Sequence, residues 1–344
     1  MKTPRFLSFL ISGLLFTAPL TYGQDIHFSQ IFETPLLRNP ALAGIFTGDV
    51  RIQSVYRSQW NSVTDAYKTV SLNGEYKLPV GNGDDYLTIG AQVLYDRAGT
   101  VALTSTHLLP AINYHKSLSA EKNMYISMAF MGGLVQRNID RSKMTTNNQF
   151  NGTGYDGGLN NGETFSNPNY SYLDGSAGMS FNTQLGENAD NNLILGVAYH
   201  HFNQAKKISF YSSNEYEMKP KWVGSAGVRM GITDYSFLTI QADYSQQGTY
   251  TETIAGMLYS WKLDDWENPR YILHAGAYFR LKDAMIPVVK LECKPIAIAV
   301  SYDANISPLK SASQGRGGFE LSLSWQKYLD KYNSSRDAVR CPKF

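Results

Sequence analysis

Apolar and polar residues alternate along this chain, stretch after stretch, from near residue 49 to near residue 327. A period of two puts successive side chains on opposite faces of a strand. In residues 69–76, Val70, Leu72 and Tyr76 share one face, and Thr69, Ser71, Asn73 and Glu75 the other. Residues 86–96, 237–245 and 318–326 repeat the pattern, with Asp243 and Glu320 on the polar side. The apolar face carries aliphatics with aromatics near the strand ends; the polar face carries Gln, Ser, Thr, Asp and Gly. A sandwich in water would place more Lys and Glu there, yet only 17% of this chain is charged, against about 25% in soluble proteins. Beyond residue 23, no run approaches the ~18 apolar residues of a transmembrane helix. The pattern predicts an all-β protein, a transmembrane antiparallel β-barrel with a lipid face and a polar interior.

Fourteen strands are expected, at 49–59, 66–78, 85–97, 103–118, 122–137, 170–183, 191–202, 220–232, 235–247, 250–262, 270–282, 285–293, 295–305 and 317–327. An even count suits a closed barrel with both chain ends in the periplasm. If the first strand rises outward, the long connections 138–169, 203–219 and 305–316 all follow odd strands and lie outside. Those after even strands, such as 119–121 and 233–234, are short periplasmic turns.

Four segments result. Residues 1–23 have Lys2 and Arg5, then an apolar run from Phe6 to Leu20, then small residues: a secretory signal peptide that is removed. Residues 49–328 form the barrel, and 329–344 a periplasmic tail. Between leader and barrel, residues 24–48 lack either period. Pro35, Pro40 and Gly44 punctuate them, with Asn39 before Pro40. Their Ile31, Phe32, Leu36, Leu37 and Leu42 need burial, each stabilising by roughly 1.5–3 kcal/mol. That predicts an N-terminal plug folded up into the lumen, with Glu33 and Arg38 meeting interior polar groups.

Catalytic signatures are missing: no GxSxG, no HExxH and no phosphate-binding Gly loop. The chain is expected to be non-enzymatic, with no cofactor or metal. Net charge is +2 without a basic cluster, which gives nucleic acid no footing. His200 and His201 are adjacent on a strand and so point to opposite faces, which opposes a metal pair. Asp264 and Asp265 read as a solvated turn. The Gly/Asn-rich stretch 147–161 lacks the spaced acids of a calcium loop and reads as an exposed loop. Cys293 and Cys341 both fall on the periplasmic side, which is oxidising. They form either a bridge, worth about 3–5 kcal/mol in the chain-entropy model, or two free thiols. A mass measurement with and without reductant separates the two.

At the outer end of the first strand, Tyr56 and Trp60 bracket Arg57 and Gln59, which share a face. They read either as an aromatic girdle around an interior arginine, or as an anchor for the N-terminal segment or a docking surface. Here the sequence resembles the PorP/SprF family of Bacteroidota outer-membrane proteins, linked to type IX secretion and gliding motility. The resemblance rests on Phe28-Ser29-Gln30, on Asn39-Pro40-Ala41-Leu42-Ala43-Gly44, and on Tyr56-Arg57-Ser58-Gln59-Trp60. Later come Pro287-Val288-Val289-Lys290, residues 301–307 (SYDANIS), residues 319–325 (FELSLSW) and the final Cys341-Pro342-Lys343-Phe344. It implies a cell outer membrane barrel that receives or anchors a secreted surface adhesin bearing a type B C-terminal signal, or that couples the type IX machine to the outer membrane. Periplasmic or lipoprotein subunits of the type IX machine, and outer-membrane lipid, would be further partners. A different reading is a FadL-like transporter of hydrophobic small molecules, since such barrels also have fourteen strands and an N-terminal Asn-Pro-Ala hatch, matched by Asn39-Pro40-Ala41.

Overall fold

The computed structural model describes residues 25–59, 66–81, 84–163, 166–206, 209–210, 217–307 and 316–329. The expected leader, Trp60, Cys341 and nearly all of the expected tail lie outside these residues. Fourteen antiparallel strands follow in chain order. They are β1 (Val50–Gln59), β2 (Tyr67–Pro79), β3 (Tyr86–Ala98), β4 (Leu103–Ser119), β5 (Met124–Asn138), β6 (Asn169–Gln184) and β7 (Asn192–His200). Then come β8 (Lys221–Thr233), β9 (Ser236–Gln247), β10 (Tyr250–Lys262), β11 (Tyr271–Arg280), β12 (Ala284–Cys293), β13 (Ile296–Asn305) and β14 (Arg316–Lys327).

Each strand pairs with its sequence neighbours, and β1 pairs with β14 from Val50 opposite Lys327 to Gln59 opposite Gly318. That closure leaves no free edge, the condition for spanning a bilayer with strands. Among the described residues no helix is long and apolar enough to cross a membrane.

Burial alternates as the sequence does. On β1, Arg51, Gln53, Val55 and Arg57 are buried, while Ile52 and Tyr56 are exposed. Leu72, Ile89, Leu108, Phe130, Val197 and Ile298 are likewise exposed on the outer wall. Tyr95, Trp222 and Tyr244 sit on that wall near one rim, and Tyr76, Tyr114 and Trp261 near the other. These are two aromatic belts. The longest connections, 139–168 and 201–220, follow β5 and β7, so they share one mouth; two-residue turns at 234–235 and 294–295 lie at the opposite one. The first mouth is therefore the outer one.

Residues 25–49 run through the interior against the buried strand faces. A 3-10 turn (Ile31–Glu33), one α-helical turn (Pro35–Arg38) and a second 3-10 turn (Pro40–Leu42) supply their local order. Pro35 and Pro40 each stand at the first position of their turn, where no amide donor is required. Leu36, Ala41 and Ala43 are wholly buried. Leu36 and Ala43 pack with Leu109, Ala111 and Met131, and Ile31 with Ile254, Leu258 and Tyr278. The apolar residues of the segment thus find apolar patches in an otherwise polar lumen.

Candidate functional site

The interior segment is fastened at three levels. At the outer mouth, the backbone amides of Ser29 and Gln30 donate to the two carboxylate oxygens of Glu320 at 2.7 and 2.8 Å. Arg57 donates to Glu320 at 2.7 Å, to Asp303 at 3.1 Å and to the Ser29 hydroxyl at 3.1 Å. The Ser29 hydroxyl donates to Asp303 at 2.8 Å, and Arg280 reaches both Ser29 and Asp303. Gln30 adds a bond to Ser301 at 3.1 Å. Two carboxylates and two guanidiniums out of water are tolerable because each answers another, and the Ser29 and Gln30 groups take up further hydrogen bonds around them.

At mid-height, the Asn39 side chain does three things. Its carbonyl oxygen accepts from the Ala41 amide at 2.8 Å, capping the second 3-10 turn. Its amide nitrogen donates to the Met179 carbonyl of β6 at 3.0 Å and the Val197 carbonyl of β7 at 3.2 Å. The Ala41 carbonyl accepts from Asn113 and Ser180, and the Ala43 carbonyl also accepts from Asn113. Glycines make room for this, because a Cβ on Gly178 would stand 2.0 Å from the Asn39 oxygen.

Toward the periplasmic mouth, the Gly44 amide donates to Glu75 at 2.7 Å, and Arg51 forks onto the same carboxylate at 2.8 and 2.9 Å. Gly44 has φ +85°, and a side chain there would meet Thr88 at 2.1 Å. Lys77 donates to the Phe46 carbonyl at 2.7 Å. The Asp49 amide then donates to Lys327 at 3.0 Å, joining the segment to the start of β1.

Glu33 and Arg38 meet interior polar groups as expected. Glu33 contacts Lys290 at 2.8 Å and accepts from Gln53 at 2.7 Å. Arg38 forks onto Asp243. Phe28, Ser29, Gln30, Asn39, Pro40, Ala41, Gly44 and Arg57 are thereby brought into one interior assembly. Tyr56 is not part of it, because strand alternation turns its ring to the lipid side. Gln59 is half-buried at the outer rim, and Cys293 ends β12 at the periplasmic rim.

The opposite-face expectation for His200 and His201 fails. Both are buried. His200 points inward from β7 and contacts Ser176 at 2.9 Å and the Arg38 carbonyl at 3.1 Å. His201 lies just past the strand at φ +57°, so alternation no longer governs it. It turns onto Asp174 at 2.9 Å and Asp25 at 3.2 Å. Among the described residues no cluster of three His, Cys, Asp or Glu could hold a metal. In the turn after β10, Asp264 accepts from the Arg270 and Tyr271 amides. Burial raises its carboxyl, but backbone hydrogen bonds outweigh that and hold it below the usual carboxylate range.

Single-residue inspection missed Glu320, Asp303, Arg280, Glu75, Asp243 and Asn113 as partners of the segment. Their signal is the acid or amide on the polar face of an alternating strand, which marks an interior group without naming its partner.

The motifs separated by up to 291 residues therefore meet in space. The sequence profile of the type IX secretion system membrane protein PorP/SprF matches residues 20–325. The chain belongs to the PorP/SprF family. Its barrel is an outer-membrane barrel, and the family places it within type IX secretion. Among curated proteins none matches this sequence. Of solved structures, the P. putida toluene transporter TodX is similar with a TM-score of 0.47 and 10% identity, over 86% of this chain and 93% of that one. A Pseudomonas aeruginosa FadL homologue gives 0.46 and 10%, over 84% and 92%. The translocator domain of the autotransporter NalP from Neisseria meningitidis gives 0.39 and 11%, over 83% and 90%.

Proposed function

We propose that this PorP/SprF barrel is a non-enzymatic partner barrel of the type IX machine. It receives or anchors one secreted surface adhesin through that protein's C-terminal signal, and so couples the machine to the outer membrane. The observation that carries this reading is the family match across nearly the whole barrel. The interior supports it. The segment 25–49 acts as a plug, tied at three heights to strands on both sides of the barrel, so the surfaces left for a protein partner are the two mouths and the loops. The longest connections, those after β5 and β7, belong to the outer mouth. An extended signal could add there by main-chain pairing. Ser29, Gln30, Asn39 and Arg57 serve the plug in this reading and shape the outer mouth from beneath.

Mass spectrometry of proteins co-purified with the tagged barrel from native membranes tests the reading. Recovery of one secreted adhesin and of periplasmic or lipoprotein machine subunits is expected. Deleting the barrel should leave that adhesin missing from the surface or released to the medium. Recovery of lipid or small apolar molecules without any such protein, together with unchanged adhesin display, sinks the reading and favours a transporter of hydrophobic molecules.

A further inference from the structure

The middle of the plug, unlike its two ends, leans on one side of the lumen. Its second 3-10 turn contacts β4, β5, β6 and β7. On the other side, along β8, β9 and β10, the described residues line an outer and an inner cavity. The outer one, of about 40 Å3, is lined by Lys221 and Val223 of β8, Asp243 and Ser245 of β9, and Glu252 and Ile254 of β10. The inner one, of about 110 Å3, is lined by Arg229 of β8, Phe237, Thr239 and Gln241 of β9, and Leu258 of β10. Both touch the same three strands, and on each strand the outer-cavity residues lie nearer the outer end. The two cavities are therefore in series along one wall.

The partition between them is thin. On β9 the last residue of the inner cavity, Gln241, and the first of the outer, Asp243, are consecutive inward positions. From the plug side, Ile31 and Arg38 border the outer cavity and Phe32 the inner. Arg38 forks onto Asp243 across the gap. Phe32 stacks on Tyr278 with ring centroids 5.8 Å apart, and the Tyr278 hydroxyl donates to Gln241 at 2.8 Å. The wall is otherwise small at this height, with Ser225 and Gly227 on β8 and Gly256 on β10. The Arg38–Asp243 pair, the Phe32–Tyr278 stack and the packing of Ile31 on Ile254 and Leu258 separate the two spaces.

We propose that the barrel holds a latent conduit for small anions along the β8–β10 wall, closed by the Arg38–Asp243 pair and the Phe32–Tyr278 stack. Sign selectivity comes from the inner cavity. Arg229, Lys290 and Lys294 line it with one lining carboxylate, Glu292; from outside the lining, Asp190 acts on Arg229, and Glu33 on the plug pairs with Lys290 and leaves with the plug when it moves. A ring of excess positive charge favours anions in a pore. Opening displaces the Ile31–Arg38 stretch from β9 and β10, breaking the Glu33–Lys290 pair and the Ile31 packing as well, and leaves the Ser29–Glu320 and Asn39 fastenings in place. The inference is independent of which protein the barrel serves.

The test is conductance of the purified full-length barrel in planar lipid bilayers bathed in potassium chloride. Asp243→Asn keeps the shape of the side chain and removes its charge; Phe32→Ala opens the partition from the plug side. Heat-modifiable migration on gels verifies that each variant is a folded barrel. Rare, small openings are expected of the parent. Several-fold higher open probability or conductance is expected of both variants, with a reversal potential in a salt gradient that shows chloride preferred over potassium. Folded variants that conduct no more than the parent overturn the conduit. Increased current that prefers potassium overturns the assigned selectivity, and with it the role of Arg229, Lys290 and Lys294.

Discussion

The Ser29 amide donates to the Glu320 carboxylate at 2.7 Å, binding the N-terminal segment to the last strand of the barrel across 291 residues of sequence. Glu320 also receives Gln30 and Arg57, so one carboxylate joins plug, first strand and last strand at the seam where the barrel closes.

Removing that carboxylate should be costly. Glu320→Ala leaves Arg57 buried with only Asp303 to answer it and strands two plug amides. A loss of about 3–5 kcal/mol is expected, the usual cost of breaking a buried ion pair from one side. Glu320→Gln, which keeps acceptor capacity, should lose less. Urea unfolding in lipid vesicles measures both, and equal midpoints for Glu320→Ala and the parent would contradict the role given to the seam.

The Asn39 clasp predicts an order among substitutions. Asn39→Ala should cost about 1–3 kcal/mol by orphaning the Ala41 amide and two carbonyl contacts. Asn39→Asp should cost more, since a carboxylate oxygen would then face the Met179 and Val197 carbonyls. Gly178→Ala should resemble Asn39→Ala because its Cβ would stand 2.0 Å from the Asn39 oxygen, whereas Gly224→Ala, with nothing within 4 Å, should be silent. Thermal shifts rank the four.

Arg38 should resist trypsin in the folded barrel, because its side chain is 12% exposed and bound to Asp243. Asn39→Ala and Gly178→Ala should speed cleavage there if the plug loosens as one unit. Rapid cleavage of the parent at Arg38 would rule out a packed plug.

The contact of His201 with Asp25 and Asp174, which latches the start of the segment to β6, should respond to alkali. Burial pushes the His201 imidazole down, but the Asp25 and Asp174 carboxylates outweigh it and raise the group to about 9. Lys221 also faces Asp25, and His200 and His107 lie in the same field. A folded value above the ordinary 6.5 means the stabilisation is complete below about 6.5 and fades as pH rises through about 9. Hydrogen exchange of amides 25–30 should therefore quicken between pH 7 and 10 relative to His201→Gln, after correction for intrinsic rates. Identical profiles in the two proteins would remove His201 from the latch.

The limits of reading residues in order show at His201 and at Arg57. One of the two sequence readings put Arg57 inside with Tyr56 in an outer girdle; Arg57 is buried and Tyr56 exposed, because a strand's period fixes side-chain direction. The same rule misplaced His201, which has left the strand and takes a left-handed backbone. For Glu33 and Arg38 the need for an interior partner was legible, since charge cannot lie bare in a lumen. Which strand supplied Lys290 or Asp243 was not, because that depends on how the plug sits against β9 and β12.

Periodicity, low charge and the secretory leader together indicated from the sequence an outer-membrane barrel of fourteen strands and which strand faces meet lipid, and the apolar residues ahead of β1 called for burial. These follow from local rules, since a period of two and a bilayer's thickness act on each strand separately. Tertiary structure alone decided that Ser29 meets Glu320, that Asn39 clasps β6 and β7, and that the plug leaves two cavities along β8–β10. Those contacts join residues remote in sequence, and their partners are set by the closed register of the barrel, which no single segment encodes.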